Sequence, residues 1–277
     1  MNDLPLSPRL AIVRLHPIKG LDPVQVKEAR IGPCGGLELD RAWALYSADG
    51  QWINGKRTAA IHLIRAAYAP DLSSVTLSVP ADRLGTPTKT FDFPGGSADA
   101  AQWFSAFFDQ SVTVRYSPEG FPDDTVANGP TIISTASLDA AASWFPGLTS
   151  MDMRLRFRTT LEIDGVPPFW EDQLFSAAPN AGLNSSDVNT LVPFRVGEVH
   201  FEGSNPCARC PVPPRNPHTG AEFTGFQKRF TEQRRATLPS WSPLERFDHF
   251  YRMSTNTRVA PTESGKLLRV NDPLVLL

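Results

Sequence analysis

The chain has 277 residues, enough for one large or two modest domains, and its 41% hydrophobic and 20% charged residues are ordinary globular usage, which excludes wholesale disorder. Lysine and arginine number 27 against 29 acidic residues, and a net charge of −2 offers no general attraction to nucleic acid or to an anionic membrane surface, so neither is expected as a partner. Three cysteines, Cys34, Cys207 and Cys210, are too few for a disulfide scaffold, and with no basic leader and no apolar run of membrane-spanning length the reading is a cytoplasmic protein with reduced thiols.

In chain order, residues 10–18 read as a strand that breaks at His16-Pro17-Ile18-Lys19-Gly20. Residues 41–46 and 51–54 flank Ala48-Asp49-Gly50 and predict a hairpin, and Val75, Leu77 and Val79 keep a two-residue period. Ala100, Trp103, Phe104, Phe107 and Phe108 fall on one face of a helix over 98–109, with Ser97 as its cap and the aromatic stripe as core. Residues 111–116 predict another strand. A second short helix follows Ser137 and stops at Pro146-Gly147. The polar, acidic segment 117–128 marks a boundary, giving domains 1–122 and 123–277. In the second half, strands are expected at 161–163, 194–201 and 267–275, with a helix near 226–233. Strands without regular βαβ alternation point to a β-rich α+β fold of barrel-like domains.

The densest chemical signal is Asn205-Pro206-Cys207-Ala208-Arg209-Cys210-Pro211-Val212-Pro213-Pro214, two thiols on a loop stiffened by proline. A thiolate is a soft metal ligand, and Arg209 between the two would anchor the loop or raise the local potential. Zinc would need two further ligands, of which His218 is one candidate; a redox disulfide would want a helix N-terminus; two buried structural cysteines remain the third reading. Arg156-Phe157-Arg158 reads as a strand whose arginines share one face while Phe157 points to the core. The five histidines are dispersed, and one such as His249 is more readily packed or exposed than catalytic.

Taken with its flanks, Val196-Gly197-Glu198-Val199 and Asn216-Pro217-His218-Thr219-Gly220, the cysteine segment resembles the metal-binding loop of MOSC domains. Arg156-Phe157-Arg158 with Thr159-Thr160-Leu161 is similar to that family's Arg-Phe-Arg-Pro-Asn-Ile segment, and Val270-Asn271-Asp272-Pro273 to its closing strand. Residues 12–20 together with 36–43 (GLELDRAW) resemble the N-terminal β-barrel that accompanies MOSC domains, as in relatives of the amidoxime-reducing component and of the molybdenum cofactor sulfurase C-terminal region.

The resemblance implies an N-terminal barrel-like domain, a MOSC β-barrel domain and a molybdenum–molybdopterin cofactor (Moco) between them. It makes Cys210 the metal ligand and catalytic thiolate, and puts Lys19, Arg41, Arg156, Arg158, Thr160 and Asn256 around the cofactor. His16 becomes lining. The activity it implies is a molybdenum-dependent oxidoreductase that reduces N-hydroxylated or N-oxygenated small molecules. Electrons would come from an external electron-transfer protein, since the chain has neither a dinucleotide fingerprint nor an iron–sulfur cysteine run. The alternative is a sulfur carrier or cofactor-handling protein with a cysteine persulfide, and a third reading is a binding module with structural cysteines. The family's Pro-Asn is Thr159-Thr160 here, its turn Asp is Asn216, the Ser after its turn lysine is Gly20, and its last Gly is Asn271.

Overall fold

The computed structural model describes residues 7–80, 86–93, 95–123, 126–177 and 191–277. Strand β1 (Arg9–Leu15) buries Leu10, Val13 and Leu15; β2 (Val24–Val26) returns beside it and β3 (Glu28–Arg30) follows. β4 (Trp43–Ser47) and β5 (Trp52–Ile53) form the expected hairpin, closed by Gly50 at a φ of +76° that a side chain would strain. β6 (Arg65–Tyr68), β7 (Ser74–Ser78) and β8 (Lys89–Asp92) make an antiparallel meander, then α1 (Ser97–Phe108) packs its aromatic stripe inward and β9 (Val112–Tyr116) pairs with β4. The N-cap of α1 is Gly96, one residue earlier than expected.

The second half opens with β10 (Ile132–Ser134), α2 (Thr135–Ser143), α3 (Ser150–Phe157) and β11 (Leu161–Asp164). β10 and β11 are parallel, and a crossover through the two helices is what a parallel pair requires. α2 is capped by Ser134, whose side chain accepts from the Ser137 backbone, so the helix begins earlier than the sequence suggests. β12 (Val192–Val196), β13 (Val199–Ala208), α4 (Phe226–Ala236), β14 (Arg252–Arg258), β15 (Leu267–Arg269) and β16 (Leu274–Leu276) complete the chain.

The fold is β-rich α+β, as expected. Its largest sheet runs β16-β12-β13-β14-β10-β11-β1-β2, so the chain's first strand pairs with β11, Leu10 opposite Ile163 and Val13 opposite Leu161, and β3 pairs with β15. Strand pairing therefore crosses residue 122 in both directions. One core lies under this sheet and one within residues 18–112; a third, around Phe145, Phe157, Phe226 and Phe230, lies between α2, α3 and α4.

Three strand expectations are corrected. Arg156 and Arg158 do not alternate along a strand: α3 starts at a capping box of Thr149 and Asp152 and runs through Phe157, and Arg158 ends it in the left-handed conformation, at φ +52°. Burial of Met153, Arg156 and Phe157 is the helical spacing that three residues alone cannot distinguish from alternation. Residues 194–201 are a hairpin turning at Gly197 (φ +57°), and 267–275 are two strands divided by a turn whose Asn271 sits at φ +77°.

Candidate functional site

β13 carries the first cysteine at its end. Its ladder with β14 pairs Pro206 with Thr255 and then Ala208 with Arg252, so β14 holds one extra residue opposite Cys207. Ser254, at φ +70°, lies in this bulge. Arg209 continues the pairing through its backbone N–H to the Tyr251 carbonyl (3.0 Å) and turns its guanidinium into the bulge. There it donates to the Met253 carbonyl and Ser254 Oγ (each 3.3 Å), to Cys207 Sγ (3.2 Å) and to the Phe157 carbonyl. Arg209 is a loop anchor. Cys207 and Cys210 are free thiols, each half-buried.

The segment after Cys210 folds back on itself. Asn216 Oδ1 accepts from the His218 and Thr219 backbones (2.8 and 3.0 Å), the turn that the Asn was expected to tolerate. Arg156, 3% exposed, holds this return by donating to the Pro213 and Arg215 carbonyls (2.7 and 2.8 Å). Arg65 reaches across from β6 to the Pro217 carbonyl (3.2 Å) and His218 Nδ1 (2.6 Å). The ideal Cβ of Gly220 would stand 2.6 Å from the Ala59 carbonyl, and that of Gly55 3.4 Å from Val212, so the cysteine segment lies directly on residues 55–65. Among the described residues no group of three or more His, Cys, Asp and Glu gathers to hold a metal, and the zinc arrangement through His218 is not assembled.

Beside this contact the turn at His16-Pro17-Ile18-Lys19 pairs with the Arg41–Trp43 stretch through Lys19 N to the Trp43 carbonyl (2.8 Å) and Arg41 N to the His16 carbonyl (2.9 Å). Arg41 pairs with Asp40 and reaches the Arg158 carbonyl (3.4 Å). The last turn of α3 is therefore gripped from two sides, by Arg41 at Arg158 and by Arg209 at Phe157. Thr160 is buried next to it, its N–H on Thr131 Oγ1 (3.3 Å), and Asn256 lies opposite Asn205 further along the β13–β14 ladder. Lys19 stands apart. Its ammonium donates to the Phe121 carbonyl (2.7 Å), pairs with Asp123 (2.9 Å) and lies 3.7 Å from the Trp52 ring centroid.

The electrostatics mark where an anion is wanted. Arg158 is half-buried, and its guanidinium has no hydrogen-bond or ion-pair partner among the described residues. Desolvation first, and then the neighbouring charge of Arg41, hold it down to about 10. His16 is pushed down to about 3 by burial, then by Arg158 and against the hydrogen bond of Asp40, so it is neutral lining at pH 7. His62 is lowered to about 4 by burial and by Arg158, Arg215 and Arg65 in turn. Asp22 and Asp40, the carboxylates beside Arg158, are already engaged by Arg65 and Arg41. On the other side of the cysteine loop, the buried Tyr251 hydroxyl has no hydrogen-bond partner among the described residues while feeling Arg209, Cys210 and Arg156. A small cavity is lined by Gly20, Asp22, His62, Arg65, Arg158 and Pro217. Guanidinium without counterion, neutral imidazoles and an accessible thiol are a donor set that suits an anionic, thiophilic group such as Moco.

Sequence reasoning missed Arg65, His62 and Tyr251. Only Tyr251 carried a signal, its place directly before β14, the strand that bears Asn256; Arg65 and His62 sit in a segment without a motif. Among the described residues no helix is long and apolar enough to cross a membrane.

Fold and site together define a β-rich α+β protein in which a proline-stiffened cysteine segment closes on an arginine-lined pocket. Residues 7–151 match the family model described as the MOSC N-terminal beta barrel domain, and the chain belongs to that family. The match is consistent with a MOSC-domain protein, and MOSC domains are associated with molybdenum-cofactor-binding proteins. None of the curated proteins matches.

Proposed function

We propose that the chain binds Moco and reduces N-hydroxylated or N-oxygenated small molecules, with the site where residues 1–122 meet residues 123–277, two stretches that share the largest sheet. The observation that carries this reading is the Arg158 guanidinium, without a hydrogen-bond or ion-pair partner among the described residues, next to Arg41 on the helix end that Arg209 ties to the cysteine segment. In this reading Cys210 supplies the thiolate ligand, Arg158 and Arg41 meet the anionic pterin groups, Arg156 holds the loop's return in place, and Thr160 and Asn256 border the cofactor. Bound Moco supplies two-electron oxygen-atom abstraction. The net conversion, R–NHOH plus two electrons and two protons to R–NH2 plus water, draws its electrons from a separate electron-transfer protein. Neutral His16 and the buried walls limit water at the site without adding charge. The test is reduction of a benzamidoxime-type compound by the purified chain with a chemical one-electron donor: turnover lost in Cys210→Ala supports the reading, and none in a molybdenum-loaded wild type contradicts it.

A second reading, a persulfide-bearing sulfur carrier, is favoured by one contact, the Arg209 guanidinium 3.2 Å from Cys207 Sγ. Sulfane sulfur that is lost in Cys207→Ser, in a chain without molybdenum, would establish it.

A further inference from the structure

Arg65 opens β6 and spreads its guanidinium over four acceptors. Nη1 donates to Asp22 Oδ1 (3.0 Å) and meets His218 Nδ1 (2.6 Å), while Nη2 donates to the His62 carbonyl and to the Pro217 carbonyl (3.2 Å). The second Asp22 oxygen accepts from the Ala66 backbone N–H (3.1 Å), so both oxygens of this carboxylate are held by β6. Asp40, a further carboxylate beside Arg158, is taken by the His16 N–H (2.7 Å) and by Arg41. Asp22, Arg65 and Arg158 line one small cavity, in which the Arg158 guanidinium has no hydrogen-bond or ion-pair partner among the described residues. Burial first and Arg41 next lower the Arg158 pKa, against a weaker opposing pull from Asp22. The two groups therefore feel each other without being joined.

We propose that Arg65 is a positioning residue for the site: by holding Asp22 on β6 it keeps this carboxylate off Arg158, and so leaves the Arg158 guanidinium open to an incoming anion. A carboxylate and a guanidinium that face one cavity without other counter-charge join, since each is costly to bury alone and the pair makes charge-assisted hydrogen bonds. Without Arg65, Asp22 closes on Arg158 and becomes an internal competitor for it. That the anion belongs to Moco rests on the reading above; the hold on Asp22 rests on the contacts alone.

The test is the molybdenum and pterin content of the full chain made in a cofactor-producing host, with the fold checked by circular dichroism. Arg65→Met and Arg65→Gln should retain about a tenth of the wild-type content, the scale of one charge-assisted hydrogen bond lost to the anion; Gln keeps a polar reach toward the loop where Met is not recovered folded. Arg65→Met/Asp22→Asn should regain most of it, because Asn still accepts from the Ala66 N–H and offers Arg158 no charge. Arg65→Lys should also stay near wild type, keeping a cation for Asp22 while losing the fork that reaches Pro217 and His218. Full content in the Met and Gln variants, no recovery in the double variant, or a Lys variant as empty as the Met one would make Arg65 a loop clamp or a bystander and overturns the proposal. A crystal structure of the cofactor-free Met or Gln variant reads the same point without the cofactor: the Asp22 carboxylate on Arg158 is expected, and Asp22 still on the Ala66 N–H overturns the proposal. A wild type without molybdenum would defeat the functional reading and leave this structural result to decide.

Discussion

The guanidinium of Arg209 donates to the carbonyl of Phe157, joining residues 52 apart in the sequence and fixing the cysteine segment to the last turn of α3. The same guanidinium fills the β14 bulge at Met253 and Ser254. Its fork geometry lets one side chain satisfy acceptors from three directions, which a point charge on a flexible stem does not.

Arg209→Lys should therefore fail nearly as badly as Arg209→Gln. Each variant is expected to lose roughly 2–3 kcal/mol in urea unfolding, the scale of a few charge-assisted hydrogen bonds on a half-buried group. A lysine variant with wild-type stability would show that charge alone matters.

Gly220→Ala should separate the two faces of the site contact. The glycine holds φ +72°, and its Cβ would meet the Ala59 carbonyl at 2.6 Å, whereas Gly50 has similar torsion (φ +76°) and open space around it. Gly50→Ala is expected to cost about 1 kcal/mol from backbone strain, and Gly220→Ala roughly 1–2 kcal/mol more. Equal losses by urea titration would mean that the contact between the cysteine segment and residues 55–65 is not maintained in solution.

Glu171 gives a pH dependence with a defined sign. Burial, and then the adjacent Asp172, push its carboxyl from 4.5 up to about 7. The folded state holds this proton more tightly than the unfolded chain, so the contribution is fully present below about 4.5 and is lost as pH rises to about 7. Glu171→Gln should remove up to about 3 kcal/mol of that decline and leave the variant the more stable at pH 8. Parallel stability–pH curves for wild type and variant would contradict the assignment.

Much of the fold was readable because its signals are local. The α1 stripe of Ala100, Trp103, Phe104 and Phe107 and the β4–β5 hairpin need only their own residues to be recognised. The pairing of β1 with β11 was not readable, since alternation shows that a strand has a buried face but not which distant strand it adjoins. For the site, the motifs named Cys210, Arg41 and Arg158 and gave no hint that Lys19 is claimed by Asp123, a contact across a segment with no periodicity. The arginines around Phe157 were misread as a strand because α3 is only eight residues long and its capping box, Thr149 with Asp152, was overlooked.

The central claim is that one thiolate, Cys210, completes a cofactor site whose anion contacts are Arg158 and Arg41. The most direct measurement is molybdenum and pterin content, by elemental analysis and oxidised-pterin fluorescence, of wild type, Cys210→Ser and Cys207→Ser produced in a host that makes the cofactor. The account predicts about one molybdenum per chain in wild type, most of it retained in Cys207→Ser, and little in Cys210→Ser with the fold intact by circular dichroism. Equal loss in the two variants, or a wild type that carries neither molybdenum nor pterin, would contradict it.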